Sequence, residues 1–298
     1  MKSFFALTKR NFKMFFKDKG MFFTSLITPV ILLVLYATFL AKVYKDSFVG
    51  NLPETLEVSE KLINATVSGE LFSSLLAVSC VTVAFCSNML MVTDKLTGAR
   101  KDMLMTPVKK STLAVSYYAA TLLTTLVVSL VATGACFIYI AITGWYLSFG
   151  NIMLVLIDVF LLTMFGTALS SLINVFLTSQ GQISAVGTIV SAGYGFICGA
   201  YMPISQFGSG LQKVLSFLPG TYGTSLIRNH AMADVFVEMS KFGFPPEVIE
   251  KIKDSVDCNL YFFGNKVEIY VMYLVLISAI ALILGAYILT NILKKKRR

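Results

Sequence analysis

The chain has 298 residues, 56 % of them hydrophobic and only 14 % charged, with a net charge of +9 and five cysteines. A mean hydropathy of +0.76 and a charged fraction far under the ~25 % of soluble domains exclude a water-soluble enzyme. They also leave no stretch long enough for a nucleotide-binding domain. Sixteen of the twenty-five basic residues fall in three short segments between or beside apolar blocks, a distribution that argues against nucleic acid as a partner.

Residues 1–20 predict an amphipathic helix lying in the membrane interface. Lys2, Lys9, Lys13 and Lys17 recur along one helical face, and Phe5, Phe12, Phe15 and Phe16 gather on another. Such a helix turns its cations to anionic lipid headgroups. Six apolar blocks follow, at 22–41, 71–93, 112–142, 152–178, 183–203 and 267–293. Each is long enough to cross a hydrocarbon core of ~30 Å as a helix. Pro29 predicts a kink in the first. The fold class expected is therefore an all-α integral membrane protein with six transmembrane helices.

Segment 94–111, between the second and third blocks, carries Lys95, Arg100, Lys101, Lys109 and Lys110. In it Leu96, Met103 and Leu104 can share one face of a short surface helix that Pro107 stops. The other two basic clusters are the N-terminal segment and the run Lys294, Lys295, Lys296, Arg297 and Arg298. With six crossings all three lie on one side, and basic loops mark the cytoplasmic side. Both termini are expected in the cytoplasm. The first loop on the other side is acidic, with Asp46, Glu54, Glu57, Glu60 and Glu70 against three lysines.

Beyond the third block, Trp145 and Tyr146 suit an interfacial anchor. Gly195 and Gly199, four apart in the fifth block, make a small-residue face suited to close packing within or between subunits. Segment 204–266 then lies outside the membrane or dips into it. Its first part, 205–230, is apolar but broken by glycine and Pro219, which fits a re-entrant segment in the outer leaflet. Pro246 opens an exposed helix in which Ile249, Ile252 and Val256 share a face and Glu247 can pair with Lys251.

Chemistry-bearing patterns are sparse. The single histidine, His230, falls in the outer loop, and neither H-E-x-x-H, G-x-S-x-G nor a phosphate-binding P-loop occurs. Four cysteines lie inside apolar blocks and Cys258 outside, with no spacing for zinc or a redox pair. No catalytic, cofactor or metal residue is therefore assigned to this chain. Asp158 stands alone in the fourth block. It reads either as a lining group of a transport path or as a residue near the helix end bonded to a neighbouring hydroxyl.

The order of these features resembles the transmembrane subunits of ABC-2 (type V) ABC exporters. Four matches carry it: the basic interfacial helix before the first of six spans; Asp94-Lys95-Leu96-Thr97-Gly98-Ala99-Arg100 with Leu104 and Thr106-Pro107; Gly199-Ala200-Tyr201-Met202-Pro203-Ile204; and Leu218-Pro219-Gly220-Thr221-Tyr222. Leu96 and Ala99 depart from the family pattern, where an acidic residue and threonine are frequent. The resemblance implies a permease subunit that pairs with a second copy or a paralogue through spans one and five, and that binds separate cytoplasmic ABC ATPases. ATP and Mg would sit on those partners. It implies that Gly98, Arg100, Lys101, Met103, Leu104 and Pro107 form the ATPase-coupling contact. The cargo expected is amphipathic: a drug, an antimicrobial peptide or a lipid-like molecule, exported across the plasma membrane. On the residues alone, an integral membrane enzyme using Asp158 or His230 and a non-transporting anchor stay open.

Overall fold

The computed structural model describes residues 1–50 and 58–293; Glu54, Glu57 and the basic tail from Lys294 onward lie outside the described residues. Helix α1 (Lys2–Lys17) has three sides. Thr8, Asn11 and Phe15 are buried, Lys2, Lys9, Lys13 and Lys17 are exposed, and Phe5 and Phe16 are exposed between those two sides. Only Phe15 of the expected aromatic face packs inward. Asp18 ends α1 and caps α2 (Lys19–Leu35), accepting from the Met21 N–H at 3.0 Å. The helix runs on through Pro29, loosens into a π-helical turn at Tyr36–Leu40, and continues as α3 (Ala41–Gly50).

Helix α4 (Glu60–Leu96) has 37 residues, about 55 Å at 1.5 Å per residue, and starts eleven residues before the apolar block at 71–93. Ser59 caps it by accepting from the Leu62 N–H. The polar-looking extension is helical because its apolar residues are covered: Leu62, Ile63 and Ala65 pack on Met232, Phe236, Met239, Ile249 and Ile252. Composition along one segment does not reveal a partner supplied from 170 residues away.

The chain continues through α5 (Ala99–Met105), α6 (Lys110–Thr143), α7 (Phe149–Phe176) and α8 (Gln180–Ile197). A 3-10 turn at Ile204–Gln206 leads to α9 (Ser209–Leu215), α10 (Pro219–Lys241) and α11 (Pro246–Ser255). A two-residue antiparallel hairpin, Tyr261–Phe262 with Asn265–Lys266, precedes α12 (Ile269–Leu293). Among the described residues, five helical runs are long and apolar enough to cross a membrane: Lys19–Leu40, α4, α6, α7 and α12. Helix α4 is the hub, packed against α2, α6, α7, α8 and α10.

Segment 205–230 is less broken than its glycines and proline suggest. Pro219 occupies the first turn of α10, where its missing N–H costs nothing, and the helix then runs 23 residues to Lys241. His230 lies in the middle of that helix and is buried, not in a loop. In α11, Ile249 and Ile252 are buried as their spacing predicts. The ion pairs there differ from expectation: Glu250 takes Lys253 at 3.5 Å and also Lys266 of the hairpin, while no Glu247–Lys251 pair forms among the described residues.

Candidate functional site

The basic end of the molecule is built around the turn after α4. Gly98 adopts φ +88°, a left-handed conformation that costs a side-chain-bearing residue energy. It reverses the chain and receives the N–H groups of Lys101 (2.7 Å) and Asp102 (3.2 Å) on its carbonyl, starting α5. Thr106 is extended before Pro107, and the helix ends there.

Three elements meet at Asp94, which is 3 % exposed. Arg10 of α1 pairs with both carboxylate oxygens, Nη2 reaching Oδ1 at 3.0 Å, and the Tyr117 hydroxyl of α6 donates to Oδ2 at 2.6 Å. Next to it the Lys95 ammonium donates to the carbonyls of Asn174 (2.6 Å) and Val175 (3.0 Å), satisfying the C-terminal end of α7. Arg100 donates to Asn291 Oδ1 of α12 at 3.2 Å. Tyr287, one turn earlier, donates to the Ala114 carbonyl of α6 at 2.9 Å. Met103 and Leu104 pack inward with Leu7 and Val108 on Met91, Leu113, Tyr117 and Tyr287.

The six residues singled out in this segment therefore divide. Gly98 makes the turn, Arg100 is tied to α12, and Met103 and Leu104 are half-buried against the bundle. Lys101 and Pro107 are exposed, and so is Met105 at 87 %. Leu96 does not share the face of Met103 and Leu104; it is exposed. Helix α5 itself is bonded to α12 through Arg100 and packs through Met103 and Leu104, while the bonds to α1, α6 and α7 are made by Asp94 and Lys95 at the end of α4.

At the opposite end, Asp158 is buried at 1 % exposure but is not alone. Its Oδ2 lies 2.6 Å from His230 Nδ1, and its Oδ1 accepts from the Tyr273 hydroxyl at 2.6 Å. The three residues tie α7, α10 and α12 together. Sequence reasoning missed the pair because 72 residues separate its members.

A second buried node went unread. Arg228 is 1 % exposed and donates to Ser73 Oγ (3.3 Å), Ser74 Oγ (3.0 Å), the Gly199 carbonyl (3.0 Å) and the Val256 carbonyl (2.7 Å). Asp257 lies 3.6 Å from its Nη1 and accepts from the Ile204 and Ser205 N–H groups. A lone arginine in an apolar stretch was the available signal, since an intramembrane or buried guanidinium demands partners.

Gly195 and Gly199 are not a small-residue face of one helix. Helix α8 ends at Ile197, and Gly199 lies beyond it with φ +73°. The Gly195 carbonyl accepts from the Ala200 and Tyr201 N–H groups (2.8 and 3.0 Å), and the Tyr201 ring covers the space a Cβ at Gly195 would need. Both glycines serve the helix C-terminus.

Between the run Lys19–Leu40 and α8 a groove of about 960 Å³ opens, floored by Cys86 and Met89 of α4 and walled by Ile27, Ile31, Phe39 and Phe196. Asp158 does not line it. Among the described residues no group of three His, Cys, Asp or Glu could hold a metal.

Among the described residues, a helical bundle with five membrane-length apolar helices is the architecture of a multi-pass membrane protein. The ABC-2 type transporter family matches residues 2–231, and the chain belongs to that family. No curated protein matches it. Membership makes this a transport subunit rather than an enzyme in itself and implies association with ABC ATPases.

Proposed function

We propose that this chain is the permease subunit of an ATP-driven exporter, with α5 as the contact through which separate cytoplasmic ATPases, carrying ATP and Mg, drive it. The observation that carries the reading is the exposed edge Lys101–Met105–Pro107 on a helix whose other side, Met103 and Leu104, packs into a cluster drawn from α1, α4, α6, α7 and α12 and whose Arg100 is bonded to α12. A rigid element of this kind can pass the closure of an ATPase pair to the membrane. Both termini are cytoplasmic in this reading, in the plasma membrane, and 94–111 faces the ATPases.

Helix α8 is the sixth crossing: 18 residues span about 27 Å. The groove between the first crossing and α8 faces a second permease subunit, identical or paralogous, and passes an amphipathic drug, peptide or lipid-like cargo. Its apolar walls suit such a molecule and not an inorganic ion. Segment 204–266 faces outside, with α9 and the start of α10 re-entering the outer leaflet.

The test is Met105→Glu in the protein co-expressed with a candidate ABC ATPase. The variant is expected to fold and to lose co-purified ATPase and transport about tenfold or more, as burial of an uncompensated charge in a contact predicts. Wild-type co-purification and transport would overturn the assignment.

A further inference from the structure

The cap end carries a pocket of about 300 Å³ between α9, α11 and the hairpin, its polar lining from Ser205, Gln212, Ser216, Asp254, Asn259 and Tyr261 among others and its apolar lining from Ile204 and Leu260. That is the lower end of the range for small-molecule sites. Three carboxylates stand on this side of α11 and the turn after it. Glu250 takes Lys253 and Lys266, and Asp257 takes Arg228. Asp254 is different. Its Oδ1 accepts from Asn259 Nδ2 (2.7 Å) and the Tyr261 hydroxyl (3.0 Å), but no described lysine or arginine forms an ion pair with it. The pocket therefore offers a positioned, charge-unbalanced carboxylate.

The elements that wall the pocket carry an apolar surface on their other side. Phe217 is 61 % and Phe263 58 % exposed, and with Phe262 they form an edge-to-face aromatic cluster with centroid separations of 4.9–5.9 Å. Leu211 and Val214 of α9 are exposed beside them. Lys213, next in chain to the pocket-lining Gln212, holds its ammonium over the Phe263 ring at 6.0 Å from the centroid. The hairpin joins α12 through Val267 and Glu268, so Phe263, six residues before Ile269, lies no more than about 20 Å from the start of that helix at ~3.4 Å per residue. Exposed aromatic rings beside a lysine are the side-chain types enriched in the headgroup layer.

We propose that this pocket and its apolar rim bind an aminophospholipid of the outer leaflet. The headgroup ammonium is taken by Asp254 with Tyr261 beside it, the phosphate by Lys213, and the acyl chains lie along Phe217, Phe262 and Phe263. A carboxylate inside, a cation at the rim and an aromatic surface beyond reproduce the order ammonium, phosphate, hydrocarbon of such a lipid. The leaflet assignment rests on the orientation proposed above; the pocket chemistry does not. Bilayers of symmetric composition separate the two, since they present the same lipid to either end.

The full chain is reconstituted in nanodiscs containing spin-labelled phosphatidylethanolamine or spin-labelled phosphatidylglycerol, and the immobilised fraction is measured. Wild type is expected to retain phosphatidylethanolamine about tenfold over phosphatidylglycerol, the worth of one charge-assisted hydrogen bond. Asp254→Asn, nearly isosteric, brings the two lipids to parity, and Asp254→Glu keeps most of the preference. Phe217→Ser with Phe263→Ser weakens retention of both lipids. Thermal unfolding in phosphatidylglycerol discs checks that each variant is folded. Equal retention of the two lipids by folded wild type, or an undiminished preference in Asp254→Asn, overturns the proposal. Soluble phosphoethanolamine that displaces the label equally from wild type and the double Phe variant overturns the lipid as source in favour of a free amine. Surface labelling of a cysteine at Phe263 in intact cells reports orientation separately, with low background because all five native cysteines are buried.

Discussion

The most apolar windows of α4 and of the run Lys19–Leu40 that contains α2 are equally apolar, yet 94 % of the α4 window is buried against 29 % of the other. The difference lies in side-chain size and type. Helix α4 carries Ser73, Ser74, Ser79, Cys80, Thr82, Ala84, Ser87 and Asn88 in its buried length, and α7 meets it at Gly166, where an added Cβ would lie 2.8 Å from the Cys80 carbonyl oxygen. Helix α2 instead presents Phe23, Ile27, Val30, Ile31 and Val34, all more than half exposed. In lipid, apolar surface gives helices little reason to associate; close backbone approach and interhelical hydrogen bonds do. Asn88 illustrates this, donating to Ser170 and Ser171 of α7 at 3.1 and 2.9 Å.

The contrast breaks most severely at Arg228, whose guanidinium docks α10 on Ser73 and Ser74 of α4. Arg228→Met leaves Asp257 buried without its cation, and a cost of about 3–5 kcal/mol is expected, read as loss of folded protein in detergent unfolding. A paired substitution sharpens the comparison. Leu76→Ala on α4, at 0 % exposure, should cost about 2–5 kcal/mol. Ile31→Ala on α2, at 53 % exposure, should cost under about 0.5 kcal/mol in the single chain, and any larger effect should appear only in the assembled transporter. Equal costs for the two would show that both helices are buried alike.

The smallest effect belongs to the cap. The Lys266 ammonium holds the Glu250 carboxyl below its ordinary value, burial opposes this, and Lys253 adds to it. A depressed folded-state value means stabilisation that is present above the unfolded value and lost as pH falls through the folded one. Protection of the hairpin amides against hydrogen exchange should thus decline slightly below about pH 4, and Lys266→Ala should remove that dependence.

Much of the architecture was legible from residue patterns, because apolar blocks of twenty residues and clustered cations obey the bilayer's dimensions and surface charge. The stop of the surface helix at Pro107 was legible too, although the helix begins only after Gly98 and leaves Leu96 out. Its orientation was not: seven residues carry too little periodicity to say that Met103 and Leu104 pack inward while Leu96 and Met105 stay exposed. Asp158 looked solitary because its partners, His230 and Tyr273, come from helices 72 and 115 residues away. Gly195 and Gly199 looked like one helical face because spacing alone cannot show that α8 stops between them.

The sequence by itself determined a multi-pass all-α membrane protein and five of its membrane-length helices, since these follow from local length and hydropathy. Only the tertiary structure decided which apolar helix is the hub, which buried charges meet and which side of α5 is left open. Those depend on contacts between residues far apart in the chain, where shape and hydrogen-bond geometry select among helices that hydropathy leaves equivalent.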